Sequence, residues 1–296
     1  MTRAASLRPV DRLLILYNVA FGILWLAGLG RVPYAFWLML AHAGAIWLAW
    51  AEGRLGPDAS AFSRGLREIY PIMLVALYWL ELGLITSGFH SGTHDALVTA
   101  WDLKLFGRHL HMVWLPAMHS MGFSELMFAA YWFYYPLVFG APLVLVLVRH
   151  PDVEPWVFRM TVAYTVCFAF YAIFPVNGPS HTMPKYVGPY MDGFFYRLAE
   201  AGTHGAGGAG DSLGTAFPSS HVFGAVTAAL VAIKYLKPWW AALFVIGALG
   251  VVLSTVYTQN HFAIDSAVGI LGAIVFFYLV SPWLERVLGE RREAQS

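Results

Sequence analysis

The feature that most constrains the fold is a series of eight apolar runs, each close to the length that crosses a lipid bilayer. A spanning α-helix needs about 20 mostly apolar residues. Runs of this kind occupy residues 12–30, 33–51, 70–88, 124–148, 156–175, 219–236, 239–257 and 262–281. The chain is 59% hydrophobic and 12% charged, whereas soluble domains are about 25% charged. The sequence therefore predicts an all-α, polytopic membrane protein with about eight transmembrane helices.

The distribution of positive charge predicts how these helices are oriented. Lys and Arg concentrate in the cytoplasmic segments of membrane proteins. With the N-terminus inside, 13 of the 18 Lys and Arg residues lie on the inner face, and the outer face holds Arg31, Lys104, Arg108, Lys185 and Arg197. This bias predicts cytoplasmic termini. It places the two long connections, residues 89–123 and 176–218, on the extracytoplasmic (periplasmic or lumenal) side.

The two long connections differ in composition. Residues 89–123 mix Trp, Leu and Phe with charged residues such as Asp102 and Lys104, a pattern typical of a helix that lies in the membrane interface. Residues 176–218 end in a Gly-rich stretch from Gly202 to Gly214. This stretch predicts a flexible linker, and the alternative is a mobile lid over a site.

The first candidate site is the start of the sixth apolar run, which reads Pro218-Ser219-Ser220-His221. Ser219 and Ser220 are suitable N-cap residues, and the unpaired N–H groups of a helix N-terminus bind anions such as phosphate. His221 in the first turn is then within reach of a bound phosphate. The alternative is a capped helix with an incidental histidine.

The second candidate site lies between the seventh and eighth runs, where His261 precedes Asp265 by four residues. Residues four apart share a helix face. A carboxylate that bonds one imidazole nitrogen fixes the tautomer and leaves the other nitrogen as a nucleophile. The alternative is a structural His–Asp pair that holds two helices together.

A very short hairpin between the sixth and seventh runs brings the two sites to the outer ends of neighbouring helices. Together they offer an anion cradle, a general acid and an oriented nucleophile, which suit phosphoryl transfer through a phosphohistidine. Three other classes stay open: a metal-dependent hydrolase with His221, His261 and Asp265 as zinc ligands, a membrane serine protease, and a non-enzymatic transporter or scaffold. The net charge of +1 gives no indication of nucleic-acid binding.

These two segments resemble two of the three signature motifs of the phosphatidic acid phosphatase type 2 superfamily. The family motifs read Pro-Ser-Gly-His, then Ser-Arg, five residues, His, three residues, Asp. The matching residues are the run Pro218-Ser219-Ser220-His221, and Ser254 followed by His261 and Asp265. The resemblance implies a six-helix core in residues 70–296, behind two extra transmembrane helices in residues 1–69.

The same resemblance implies a role for each matching residue. His261 is implied as nucleophile, Asp265 as its orienting carboxylate and His221 as general acid to the leaving oxygen. Ser219 and Ser220 are implied to contact phosphate. The family needs no metal and no cofactor, and its partner is a membrane lipid.

The chain departs from the family pattern at the groups that usually clamp phosphate. The arginine after the motif serine is Thr255, and the family's lysine–arginine motif is absent from the sequence. The region after the fifth run offers Asn177, His181 and Lys185 as substitutes. Other polar groups are expected to line the same pocket: Glu81, Glu125, Tyr131, Tyr134 and Tyr135. The alternative for the three tyrosines is an aromatic belt at the membrane interface.

The variant pattern resembles the inositol phosphorylceramide synthase branch, typified by the aureobasidin-resistance protein. The resemblance covers residues 95–281 and rests on a Pro-rich turn after the fifth run, the spacing of Ser254 and Tyr257 from His261, and the segment from Asp102 to Gly107. It implies transfer of an inositol phosphate-type head group to a lipid acceptor such as ceramide. A plain lipid phosphate phosphatase is the alternative, because both enzymes share the first half-reaction.

Overall fold

The computed structural model describes residues 7–55, 59–118, 120–186, 188–201 and 213–289. The helices of these residues, in chain order, are α1 (Pro9–Ala27), α2 (Ala35–Glu52), α3 (Ala61–Phe89), α4 (Asp95–Phe106), α5 (Leu110–Ala117), α6 (Met121–Leu147), α7 (Val153–Ile173), α8 (Pro179–Thr182), α9 (Phe194–Glu200), α10 (Ser220–Tyr235), α11 (Pro238–Tyr257) and α12 (Ala263–Gly289). Extended segments pair within this part of the chain at one isolated bridge, between Val176 and Thr215.

Seven of these helices, α1, α2, α3, α6, α7, α11 and α12, are long and apolar enough to cross a membrane. The apolar helix α10 has 16 residues and is about 24 Å long, which is shorter than the roughly 30 Å of a hydrocarbon core. These eight helices correspond to the eight apolar runs of the sequence. The prediction of an all-α polytopic membrane protein is therefore confirmed.

The long connections contain short helices. Residues 89–123, predicted to hold one interfacial helix, contain two helices, α4 and α5. Gly107, which ends α4, has a φ of +71°, a left-handed conformation that favours glycine and stops the helix. The connection 176–218 contains α8 and α9. Most of its Gly-rich stretch, residues 202–212, lies outside the described residues. The flexible linker predicted there therefore stays a prediction.

Helix α7 is the central element of the bundle. Most of its residues are buried, and it packs against α1, α3, α10 and α12. Helix α10 also packs against α11 and α12, and α11 packs against α6. This arrangement places the start of α10 beside the loop that joins α11 to α12.

A buried polar network joins α1 and α2 to α3. Glu81 Oε2 accepts a hydrogen bond from Trp25 Nε1 at 2.6 Å and lies 2.9 Å from His42 Nε2. His42 Nδ1 lies 2.7 Å from Asn18 Oδ1, and Asn18 Nδ2 donates to the Tyr78 hydroxyl at 2.6 Å. Buried polar groups are costly unless they are paired. The expectation that Glu81 lines the pocket is therefore corrected, because its Oε2 is directed to Trp25 of α1 and His42 of α2.

We expect Glu81→Ala to lower the free energy of unfolding by about 3 kcal/mol, because it leaves Trp25 and His42 buried without their acceptor. The measurement is thermal unfolding of the purified protein in detergent. Asp192→Ala is the control, since Asp192 pairs with Arg197 at 2.7 Å but is exposed, and such pairs contribute about 0–1 kcal/mol. Equal losses in the two variants would contradict a structural role for the network.

Candidate active site

The site is built on the loop that follows α7. Asp95, at the start of α4, accepts backbone hydrogen bonds from Asn177 at 3.1 Å and from Gly178 at 2.9 Å. Gly178 has a φ of +84°, and a Cβ at this position would lie 2.7 Å from the Cβ of Ala216. Glycine is therefore required both by the backbone conformation and by the close approach of the segment before α10.

That segment is fixed by an exchange of hydrogen bonds with the loop. Val176 N donates to Gly214 O at 3.2 Å, and Ala216 N donates to Val176 O at 2.8 Å. The Asn177 side chain adds a bond, because its Oδ1 accepts from Gly214 N at 2.9 Å. The backbone carbonyl of Ala216 is thereby held in place.

The Ala216 carbonyl orients His261. Its oxygen lies 2.9 Å from His261 Nδ1. Because a carbonyl can only accept, Nδ1 carries the proton of the neutral ring and Nε2 carries the lone pair. His261 is 5% exposed, so its ring is held within the protein and presents one basic nitrogen.

Asp265 reinforces this orientation, but the two residues do not share a helix face as the sequence predicted. Helix α12 begins at Ala263, so His261 lies outside it and Asp265 lies in its first turn. Asp265 Oδ2 accepts from Phe262 N at 2.8 Å and lies 3.4 Å from His261 Nδ1. The carboxylate thus caps the helix that follows His261 and supports a tautomer that the Ala216 carbonyl already sets.

His221 lies opposite His261 in the first turn of α10. The two ring centroids are 5.7 Å apart. The Tyr131 hydroxyl lies 3.3 Å from His221 Nε2, and the Tyr134 ring packs against the imidazole with centroids 4.4 Å apart. The structure therefore brings together the two histidines that the sequence singled out, and it adds two of the tyrosines expected to line the pocket.

The two serines before His221 hold the start of α10. Ser219 is fully buried. Its Oγ caps the helix at Val222 N, 3.4 Å away, and its backbone N–H donates to Asp265 O at 3.1 Å. Ser220 is buried and hydrogen-bonds Tyr171. Both hydroxyls are engaged within the protein, so their predicted contact with phosphate stays a prediction.

The other motif residues on α11 are buried and contact other groups of the protein. Ser254 Oγ donates to Val251 O at 3.1 Å. Thr255, which replaces the family arginine, is buried with its Oγ1 3.1 Å from Ser266 Oγ on α12. The Tyr257 side chain is buried, and its ring packs against that of Phe123. Substrate contacts by Ser254 and Tyr257 stay predictions.

The three candidate substitutes for the phosphate clamp are spread along the 176–218 connection. The Asn177 amide oxygen is bonded to Gly214 N, and Lys185 Nζ is paired with Glu200 Oε1 at 2.6 Å. His181 lies in α8 with its side chain exposed. Asn177 and Lys185 thus have protein partners, and a role for any of the three residues in phosphate binding stays a prediction.

Glu125, also expected near the pocket, caps α9. Its two carboxylate oxygens accept from Phe195 N at 3.0 Å and from Tyr196 N at 3.2 Å. A carboxylate at a helix N-terminus stabilises the helix through its unpaired N–H groups. This contact ties the 176–218 connection to α6, the helix that carries Tyr131.

Sequence reasoning did not identify Asp95 or the Ala216 carbonyl. A carboxylate at the start of a helix, preceded by Thr93, is the one available signal for Asp95. It points to local capping, but Asp95 in fact bonds a loop far away in sequence. A backbone carbonyl leaves no signal in the residue type.

We expect Asp95→Ala to lower both the turnover number and the unfolding temperature. The change removes the acceptor for two backbone N–H groups and costs about 2–3 kcal/mol, and it loosens the loop that fixes the Ala216 carbonyl. Asp95→Asn, which keeps an acceptor oxygen, should lose less of both. If Asp95→Ala and wild type have equal turnover and stability, this scaffold does not position His261.

The structure also bears on the metal-hydrolase alternative. Among the described residues, the group of His, Asp, Glu and Cys side chains that lies close enough to hold a metal consists of Asp102, His109 and His111. His221, His261 and Asp265 do not form such a group.

Comparison with known proteins agrees with these motifs. The family model described as the PAP2 superfamily matches residues 97–279, more than half of the 296 residues. The match includes His221, His261 and Asp265. No curated protein and no solved structure matches the chain. The chain belongs to the PAP2 superfamily, a family of membrane phosphatases and phosphotransferases.

Proposed function

We propose that this protein transfers a phosphate-linked head group from a phospholipid to a lipid hydroxyl through a phosphohistidine at His261. The observation that carries the proposal is the orientation of His261. Its Nδ1 is held by the Ala216 carbonyl at 2.9 Å, and its ring lies 5.7 Å from that of His221. One histidine is thus oriented as a nucleophile. The second is close enough that a phosphate group placed between the two rings could contact both.

The first half-reaction uses both histidines. His261 Nε2 attacks the phosphorus of a phospholipid, and the bond from phosphorus to the diacylglycerol oxygen breaks. His221 acts as the general acid and gives a proton to that oxygen as the bond breaks. The products are diacylglycerol and a head-group phosphate bound to His261.

The second half-reaction reverses these roles. An acceptor hydroxyl attacks the same phosphorus and passes its proton to the now neutral His221. The phosphorus–nitrogen bond breaks and returns the lone pair to His261 Nε2. In a phosphatase, water takes the place of the acceptor hydroxyl, so the two activities differ only in this step.

Stabilisation of the phosphoryl oxygens comes from the start of α10 in this proposal. Thr255 stands where the family has an arginine, and its hydroxyl lies beside that of Ser266. Lys185 is paired with Glu200. The proposal therefore does not rely on the cationic side chains with which the family usually binds phosphate. The N–H groups of a helix N-terminus bind phosphate without a cation, and the positive end of the helix dipole adds to this. Ser219 and Ser220 set this helix end in place.

The preference for transfer over hydrolysis is supported by the resemblance to the inositol phosphorylceramide synthase branch. The segment from Asp102 to Gly107, part of that resemblance, contacts the site directly: Asp102 Oδ1 accepts from Ile264 N at 3.1 Å. The charge bias of the sequence supports an extracytoplasmic site with cytoplasmic termini. The lipids we propose are a phosphoinositol-type donor and a ceramide-type acceptor.

The test is to incubate the purified protein with phosphatidylinositol labelled in its phosphate, with and without ceramide. We expect labelled ceramide product when ceramide is present and little label released to water. Label release that is independent of ceramide would support the phosphatase alternative. Absence of both products from wild type, with phosphatidic acid also left intact, would contradict a phosphoryl-transfer function.

A further inference from the structure

A cluster of side chains that can bind a metal lies beside the active site and does not include His221, His261 or Asp265. Asp102 lies in α4, His109 lies in the turn between α4 and α5, and His111 lies in α5. Each offers a ligand atom, and these atoms all lie within 4.8 Å of one another. Asp102 and His111 are almost completely buried, at 0% and 1% exposed.

His111 lacks the partners that a buried imidazole needs. Both of its ring nitrogens are buried and have no hydrogen-bond partner in the described part of the chain. An unpaired buried polar group costs about 1–3 kcal/mol. A neutral imidazole has one unprotonated ring nitrogen, whose lone pair can bind a metal ion.

We propose that Asp102, His109 and His111 bind one divalent transition-metal ion of the zinc class. Imidazole nitrogens and carboxylate oxygens are common zinc ligands, and three protein ligands leave one position for water. Tetrahedral ligands are about 3.4 Å apart, so the three ligand atoms, which lie within 4.8 Å of one another, would move closer together when the ion binds. His109 is 18% exposed, which gives the ion a route from the surface.

The remaining contacts of the cluster suit a metal site. Asp102 Oδ1 is held by Ile264 N, while its Oδ2 faces His109 Nδ1 at 2.9 Å. Hydrogen bonds of this kind orient a ligating carboxylate. When the ion binds between Oδ2 and Nδ1, it replaces their hydrogen bond and the His109 proton moves to Nε2.

The ion would support the site rather than take part in the reaction. The rings of His109 and His111 pack against Phe262, with centroids 6.1 Å and 5.2 Å away. Phe262 directly follows His261. A bound ion would therefore join the corner of α4 and α5 to the loop that carries His261, and no step of phosphoryl transfer passes through it.

The test measures metal binding by the full-length protein in detergent, independently of its activity. Protein stripped with a chelator and titrated with Zn²⁺ against a coloured competing chelator is expected to bind one equivalent per chain. His111→Ala should weaken this binding by at least about 100-fold. His150→Ala is the matched control, since His150 also lies near a carboxylate, Asp152 at 3.6 Å, and binding should be unchanged.

Two measurements on wild type keep the test decisive if His111→Ala does not fold. Co²⁺ bound to the stripped protein should give the visible absorption bands of a low-coordinate nitrogen and oxygen site. Zn²⁺ should raise the unfolding temperature of the stripped protein. Wild type that binds less than a stoichiometric amount of Zn²⁺, or that gains no stability from it, would overturn the proposal, whether or not the protein transfers head groups.

Discussion

Replacing His261 with glutamine is expected to lower the turnover number by about 10⁴-fold or more, because it removes the nucleophile on which both half-reactions depend. The glutamine amide can still donate to the Ala216 carbonyl, which is 2.9 Å from His261 Nδ1 in the native protein. Stability should therefore change by only about 1 kcal/mol. The measurements are head-group transfer in detergent and thermal unfolding of the same preparation.

His90→Gln is the control for this substitution. His90 Nε2 also lies 2.9 Å from a backbone carbonyl, that of Ala172, so the two changes remove comparable hydrogen bonds. We expect His90→Gln to keep its activity within about threefold, because His90 is not part of the proposed reaction. Substantial activity in well-folded His261→Gln would show that another group is the nucleophile.

Replacing His221 with asparagine is expected to have an effect that depends on the leaving group. For a phospholipid, whose alkoxide must be protonated as it departs, we expect a loss of about 10³-fold. For a nitrophenyl phosphate ester, whose phenolate leaves without a proton, the loss should be about 10-fold, which reflects packing beside Tyr131 and Tyr134. The measurement is the single-turnover rate of leaving-group release from each substrate by the same variant, because the second half-reaction needs His221 as a base whichever substrate is used.

The His261→Gln variant provides the comparison, because loss of the nucleophile should affect both substrates alike. A His221→Asn variant that loses the same factor on both substrates would show that His221 does not act as the general acid. It would then serve phosphate binding or the structure of α10. The ratio of the two losses thus separates proton transfer from positioning.

Much of the fold follows from apolar run length. The eight runs correspond to the seven long apolar helices and α10, because membrane-spanning segments must satisfy their backbone groups as helices. The partner of Glu81 was not predictable in this way. Hydropathy indicates that a carboxylate in α3 needs a partner, but the packing of α1 and α2 against α3 decides that the partners are Trp25 and His42.

The same contrast holds within the site. The proximity of His221 and His261 was predictable, since each lies at the same end of helices joined by a short hairpin. The orientation of His261 was predicted from Asp265 alone, because residue type and spacing are visible in sequence. The closer contact is the Ala216 carbonyl, which depends on a loop pairing across about 40 residues that also involves Asp95.

The central claim is that a head-group phosphate becomes attached to His261, and direct trapping of that intermediate tests it most directly. The protein is mixed with labelled phosphatidylinositol in the absence of ceramide, quenched in alkali to preserve phosphohistidine, digested and analysed by mass spectrometry. We predict label on one histidine, His261, that disappears when ceramide is added before the quench. Label on His221 or on a serine, or no labelled protein while transfer proceeds, would contradict the account.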